Sequence, residues 1–279
     1  MSKQIMSKDV LNRLRPDCDN CFGLCCVALP YAKSADFAFD KDGGTPCKNL
    51  QRDYRCSIHS NLRNKGFKGC TVFECFGAGQ KVSQVTFNGK DWRGNPEVAK
   101  EMFDVFPLMQ QIHEMLLYLN EALDIEETRP IYEELQQAIE DTERLTNLSP
   151  NEILVLDIPS HRAVVNNLLL QTSEFVRAKV KKEKNQSSKF KKGIGLIGAN
   201  LSGRDLIASN FRGALLIATN LRRADMRFSD FIGADLRDAD LRGANLQGSI
   251  FLTQAQVNAA KGDQDTKLPA TLTVPKHWL

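Results

Sequence analysis

Residues 194–253 read IGLIG ANLSG RDLIA SNFRG ALLIA TNLRR ADMRF SDFIG ADLRD ADLRG ANLQG SIFLT when written in fives. The middle position of every group is apolar: Leu196, Leu201, Leu206, Phe211, Leu216, Leu221, Met226, Phe231, Leu236, Leu241, Leu246 and Phe251. Two residues before each, the side chain is small, from Ala199 and Ser209 through Ala244 and Ser249, with Ile194 and Arg204 as exceptions. A period of five matches neither the 3.6-residue repeat of an amphipathic helix nor the two-residue alternation of a strand. The segment therefore winds as a solenoid in which each turn buries its apolar residue only against its neighbours.

These groups resemble pentapeptide-repeat proteins, whose repeat is close to A(D/N)LXX. The resemblance implies an all-β right-handed quadrilateral β-helix with four repeats per coil, here about three coils over residues 194–253. Residues 254–279 follow as a C-terminal cap, in which QAQVNAAKGD reads as a short helix stopped by Gly262. Some members of the family bind topoisomerases as acidic, DNA-like rods. Seven Arg against six Asp in this segment do not make such a rod. A rigid surface for a protein partner is the plainer expectation, because a fold alone does not set a function.

Outward from the repeats, charge and cysteine are segregated along the 279 residues. Residues 1–95 carry 15 basic and 9 acidic side chains, residues 96–176 carry 4 and 16, and residues 177–193 carry 8 and 1. All eight cysteines lie between Cys18 and Cys75. The organisation expected is multidomain: an N-terminal Cys-rich metal-binding module (1–95), an α-helical bundle (96–176), a basic linker (177–193), the β-helix (194–253) and its cap (254–279). No run of residues is apolar for long enough to span a membrane, and the first residues lack the apolar stretch of a signal peptide, so a cytoplasmic location is expected without a membrane partner. A net charge of +3 is too small to imply a nucleic-acid partner, none is expected, and oligomeric state is not readable.

The opening cluster CDNCFGLCC holds Cys18, Cys21, Cys25 and Cys26, and PCKNLQRDYRCSIHSNLRNKGFKGCTVFEC holds Cys47, Cys56, Cys70 and Cys75. Cytosolic thiols stay reduced, so metal binding is a stronger reading than a disulfide framework. Clustered thiolates suit zinc or an iron–sulfur cluster, with bonds of about 2.3 Å to zinc. Successive side chains diverge, so one of Cys25 and Cys26 is expected to ligate while the other packs or serves a second centre. His59 stands three residues after Cys56 as a candidate nitrogen ligand, and a solvent-facing or core histidine is an equal reading. The glycines of GFKG (66–69) and FGAG (76–79) allow backbone amides to approach a sulfur. Neither is a phosphate loop, since Gly79 is followed by Gln80 rather than Lys and Ser or Thr. The intervening VALPYAKSADFAFDKDGGTP reads as a loop with a turn at Asp42, Gly43 and Gly44.

Over residues 18–76 these blocks resemble the zinc- or iron-chelating cysteine-cluster domains of YkgJ type, whose pattern is roughly CxxCxxxCC, then CxxL, then CxIY, then a cysteine after a basic stretch. Carried over by position, Cys18, Cys21, Cys25 and Cys26 match the opening, Cys47 the second block, Cys56 the third, and Cys70 or Cys75 the last. His59 occupies the usual place of Tyr. Members include a flagellin lysine methylase thought to carry an iron–sulfur cluster, so the resemblance implies either metal chemistry.

In the middle, Val98, Met102, Val105, Met109, Ile112, Leu116, Leu119 and Leu123 form a helical seam, with a kink or break expected at Pro107. A second helix is expected near Pro130 and a third over about 159–182. No Glu has a His three residues on, so the acidic residues 133–143 read as a solvated face rather than a di-metal site. No catalytic constellation is visible. The function expected is a metal-binding adaptor or sensor; the alternatives are an iron–sulfur-dependent enzyme or protein-modification factor, and a topoisomerase-binding protein.

Overall fold

The computed structural model describes residues 8–184 and 196–279. The chain divides into two compact units, one of Met1–Glu126 with Ile131–Leu169 and one of Glu127–Pro130 with Leu170–Leu279. None of the described helices is long and apolar enough to cross a membrane.

The first unit begins with α1 (Lys8–Arg13) and the short helices α2 (Leu24–Val27), α3 (Lys68–Val72) and α4 (Ala78–Gln80), the last continuing as a π-helical turn over Lys81–Thr86. Its long element is α5 (Pro96–Leu123), opened by a proline whose fixed φ suits a first helical turn. Pro107 lies inside this helix and does not break it in two, for α5 runs from Pro96 to Leu123. Two helices follow, α6 (Tyr132–Thr146) and α7 (Pro150–Leu154), the latter started by a reciprocal cap between Ser149 and Glu152. Next comes α8 (Ile158–Lys184), whose residues through Leu169 belong to the first unit and the rest to the second. Of the basic run 177–193, residues through Lys184 are thus helical, and the rest lies outside the described residues. A single core joins Leu24 and Val27 of α2, Ala78, Val82 and Phe87, Met102, Val105, Phe106 and Met109 of α5, and Ile153 of α7. The cysteine-bearing segment and the helical middle therefore share one apolar interior.

The repeats form a stack of turns. In each group the carbonyl of the central residue accepts the amide three residues on, as from Ala199 to Leu196 at 3.0 Å and from Ala234 to Phe231 at 2.9 Å. The third residue of each such turn is left-handed: positions 198, 203, 208 and onward to 248 have φ between 51 and 68°, and only six of these eleven are glycine. The Asn or Asp before each central residue closes the turn with its side chain. Oδ1 of Asn200, Asp205, Asn210, Asn220, Asp225, Asp230, Asp235, Asp240 and Asn245 accepts the amide two residues ahead. Successive layers register every twenty residues, through parallel bridges such as Asn200 to Asn220, Asp205 to Asp225 and Asn210 to Asp230. The central residues from Leu206 to Leu246 fill the interior, where Phe211 stacks on Phe231 at 5.2 Å.

The expected all-β right-handed quadrilateral β-helix is overturned by this arrangement. No β-strand forms among the described residues, where helices dominate and pairing in the repeats is confined to isolated bridges. The physical reason is the turn that recurs every five residues: a left-handed residue interrupts each extended stretch, leaving one residue per group to bridge. After the repeats, α9 (Gln254–Ala259) starts on a Thr253 cap, and Gln256 Nε2 donates to the carbonyls of Phe231 and Ala234, both at 2.8 Å. Leu252, Val257, Ala260 and Trp278 continue the apolar interior, and Lys261 and Lys267 carbonyls accept the amides of Leu241 and Leu246.

Candidate functional site

The eight thiols come from three stretches of chain and are all unpaired. Cys18 opens a 3-10 turn (Cys18–Asn20) whose start is capped by the Asp17 carboxylate on the Asp19 amide at 3.2 Å. Gly23, at φ 65°, starts α2 and is pressed against Leu50 and the Tyr54 carbonyl, so a side chain there has no space. Cys25 and Cys26 ride on α2 with their sulfurs 3.8 Å apart. Cys26 O then receives the amide of Cys47 at 2.9 Å, which ties the second block to the first. Cys56 pairs with Leu50 in a single antiparallel bridge, Cys70 lies on α3, and Cys75 precedes the Phe76–Gly77 turn into α4. His59 begins the exposed turn His59–Asn61, its amide on the Cys56 carbonyl at 3.2 Å.

Electrostatic contact joins all eight. Cys26 acts on Cys18, Cys21, Cys25, Cys56 and Cys70; Cys47 acts on Cys56 and Cys70; Cys21 acts on Cys75. Burial is the main cause that lifts the thiols of Cys18, to about 11, and of Cys70 and Cys75, each to about 12. Burial also raises Cys21 and Cys56, against amide hydrogen bonds from Leu24 and Gly23 to Cys21 and from Ile58 to Cys56. The adjacent pair splits: the hydrogen bond between them pushes Cys25 up and holds Cys26 below the usual thiol range, with the Lys41 ammonium adding to the lowering of Cys26. Gly79 is required beside this cluster, since a Cβ there would stand 2.7 Å from Cys21 Sγ.

Two neighbours were not singled out in the sequence. Lys41 is 6% exposed, and its ammonium donates to the carbonyls of Val27, Asp42 and Thr45 at 3.0–3.1 Å while acting on Cys26, Cys47 and Cys25. Tyr31 donates its hydroxyl to Cys47 Sγ at 3.2 Å and stacks on Phe37 at 4.4 Å. One antiparallel bridge between Tyr31 and Lys41 brings both to the thiols from what reads as plain loop. The odd-numbered run of Tyr31, Phe37, Phe39 and Lys41 was the available signal.

The donor set suits a soft metal by its chemistry, being all thiol. The 3.8 Å between Cys25 and Cys26 also matches the edge, about 3.8 Å, of a tetrahedron with 2.3 Å metal–sulfur bonds. A complete shell is not assembled: among the described residues no group of three or more His, Cys, Asp or Glu stands ready to hold an ion. The thiols act on one another electrostatically, but among the described residues they do not assemble a coordination shell.

The family profile for pentapeptide repeats matches residues 196–227 and 209–248. YybG of Bacillus subtilis (strain 168), described as an uncharacterized protein, is 66% identical over 279 residues, covering all of both chains. The chain belongs to the YybG family of pentapeptide-repeat proteins. Among solved structures, the pentapeptide repeat protein Rfr23 from the cyanobacterium Cyanothece 51142 is 29% identical over 25% of this chain and 47% of its own, with a TM-score of 0.23. The repeat match lies within residues 196–248 of this chain and does not extend to its cysteine segment.

Proposed function

We propose that this protein is a cytoplasmic adaptor or sensor, in which a soft metal held by the N-terminal thiols sets the state of the first unit and the turn stack presents a surface to a protein partner. The observation that carries the reading is the convergence of eight unpaired thiols, from residues as far apart as Cys18 and Cys75, into one electrostatic neighbourhood. Cys18, Cys21, Cys25, Cys26, Cys47, Cys56, Cys70 and Cys75 would hold the metal. A bound zinc ion would supply a structural crosslink, and an iron–sulfur cluster an electron-accepting centre. Metal binding at thiols is coupled to proton release and to folding, which is how occupancy would alter the shared core around α2 and α5.

The surface of the turn stack favours a protein partner over DNA-like mimicry of a topoisomerase ligand. Four of its six Asp are neutralised in place: Arg227 pairs with Asp225, Arg237 with Asp235, Arg242 with Asp240 and Arg212 with Asp230, at 2.5–3.1 Å. No acidic rod results.

The test is elemental analysis with a visible spectrum on protein purified without oxygen or added metal. Stoichiometric zinc, or iron with inorganic sulfide and thiolate-to-iron absorption, supports the reading, and Cys21→Ser should lower the bound metal. Protein free of both metals, and no metal uptake on addition of zinc, would overturn it.

A further inference from the structure

A cavity of about 460 Å³ opens in the first unit, apart from the thiols, between α1, the Gly77–Val85 segment, α5 and α6. That volume is in the range of small-molecule sites. At its wall is His113 of α5, 5% exposed, with Nδ1 2.7 Å from the Phe76 carbonyl oxygen. A carbonyl oxygen only accepts, so Nδ1 carries the proton. Burial, followed by the Lys81 and Arg13 cations, lowers the ring to about 4 and keeps it neutral. Nε2 is then a bare acceptor, and it has no hydrogen-bond partner among the described residues.

Two cations, Lys81 and Arg13, and two carboxylates, Asp17 and Glu143, line the same cavity. Lys81 Nζ rests on a neutral acceptor, Asn147 Oδ1, at 2.7 Å, which leaves its charge uncancelled by that contact. Arg13 pairs with Glu143 at 3.1 Å across a half-exposed bridge; burial lowers Lys81, the Arg13 charge adds to that lowering, and the Glu143 carboxylate opposes it, so a single carboxylate acts on the two cations. Leu14, Val85 and Leu116 supply apolar wall, with Val85 54% exposed despite its position at the cavity.

We infer that this cavity binds a small amphiphilic organic acid, with its anionic group against Lys81 and Arg13, an O–H or N–H donated to His113 Nε2, and its hydrocarbon body against Leu14, Val85 and Leu116. This site is independent of the thiol reading, and its test does not require metal.

Three related probes separate the parts of the proposal: 4-hydroxybenzoate has an anion and a donor, benzoate lacks the donor, and 4-hydroxybenzyl alcohol lacks the anion. Each is titrated at millimolar concentration into the full-length protein while the His113 ring nitrogens are followed by NMR. 4-Hydroxybenzoate should shift the Nε2 resonance and bind about tenfold more tightly than the alcohol, the worth of one charge-assisted hydrogen bond, and about fivefold more tightly than benzoate, the worth of one neutral hydrogen bond. Lys81→Gln should weaken both acids by about tenfold and leave the alcohol unchanged. Val85→Glu, at an exposed position, should abolish binding of the acids without unfolding the chain. Absence of any shift with all three probes, equal binding of alcohol and acid, or acid binding indifferent to both substitutions would overturn the proposal.

Discussion

In the turn stack, each group of five residues repeats one local solution: a buried central side chain, a left-handed third turn residue, and an Asx oxygen on the amide two ahead. The first unit repeats nothing. Its segments are joined by single contacts across long separations, such as Gln80 to the backbone of Arg15 and Asp17, Trp92 Nε1 to the Phe22 carbonyl at 2.8 Å, and Gln110 to the Glu74 carbonyl at 2.6 Å. Damage in the stack should therefore stay near its layer, whereas damage in the first unit detaches a whole segment. The chain's two tryptophans make this measurable, because Trp92 lies in the first unit and Trp278 in the second.

The harshest test removes Phe231, which is fully buried and stacked on Phe211. Phe231→Ala leaves a cavity in the middle of the stack and should cost about 3 to 5 kcal/mol. The denaturation midpoint reported by Trp278 should fall while that of Trp92 holds. Equal shifts at both tryptophans would mean one cooperative block and would remove the contrast.

Acid should act on the other unit. His113 has its folded-state pKa lowered from 6.5 to about 4, mainly by burial, and an unfolded histidine binds a proton in that interval that the folded one refuses. Its contribution is thus full above about pH 6.5 and is lost as pH falls towards 4, amounting to about 3 kcal/mol. The groups acting on the ring are Lys81 and Arg13, both cationic throughout, so neither titrates in this window. The Trp92 midpoint should drop between pH 6.5 and 4, and His113→Asn should lessen the drop, the remainder coming in part from His161 of the same unit, which burial also lowers.

How far each unit could be read from its sequence follows the same contrast. The five-residue period located the buried residues of the stack, from Leu206 to Phe251, because every contact there lies at a fixed step along the chain. It did not reveal that the left-handed third position would keep extended runs from forming, although Gly198, Gly203 and Gly213 at that step were visible. Nor does the five-residue pattern by itself mark the Asn or Asp column as a turn-closing device. In the first unit the thiols themselves were conspicuous, but the groups that surround them were not. The Lys41 ammonium, held by the carbonyls of Val27, Asp42 and Thr45, acts on Cys26, and Gly79 faces Cys21 across 58 residues of chain. Nothing in local pattern encodes such a meeting.

A smaller effect is expected at the end of the stack. A Cβ on Gly262 would lie 2.2 Å from Cε3 of Trp278, the ring that completes the apolar interior and donates to the Ala260 carbonyl at 3.1 Å. Gly262→Ala should force the indole outward and cost about 2 kcal/mol, a typical overpacking penalty. Trp278 emission should shift to the red in the folded protein before any unfolding. An unchanged spectrum would mean that the cap adapts without loss, and that the end of the stack is less specified than its middle.

The finest distinction lies within one group of five. Asp240 carries two interactions: Oδ1 accepts the Arg242 amide at 3.3 Å, and the carboxylate pairs with the Arg242 guanidinium at 2.5 and 2.8 Å. Hydrogen bonding and the charge of Arg242 together hold its carboxyl below the usual range. If the turn-closing bond is what the column selects, Asp240→Asn keeps it, as Asn200, Asn210, Asn220 and Asn245 do at equivalent positions, and should cost only a few tenths, roughly 0.3 kcal/mol, for a partly exposed ion pair. Asp240→Ala loses the turn bond as well and should cost about 1 kcal/mol, the usual loss for a side chain that caps a backbone amide. The Trp278 midpoint in the two variants ranks them directly. Equal losses would place the value of the column in its charge, and the alternation of Asn and Asp along the stack would then need another cause.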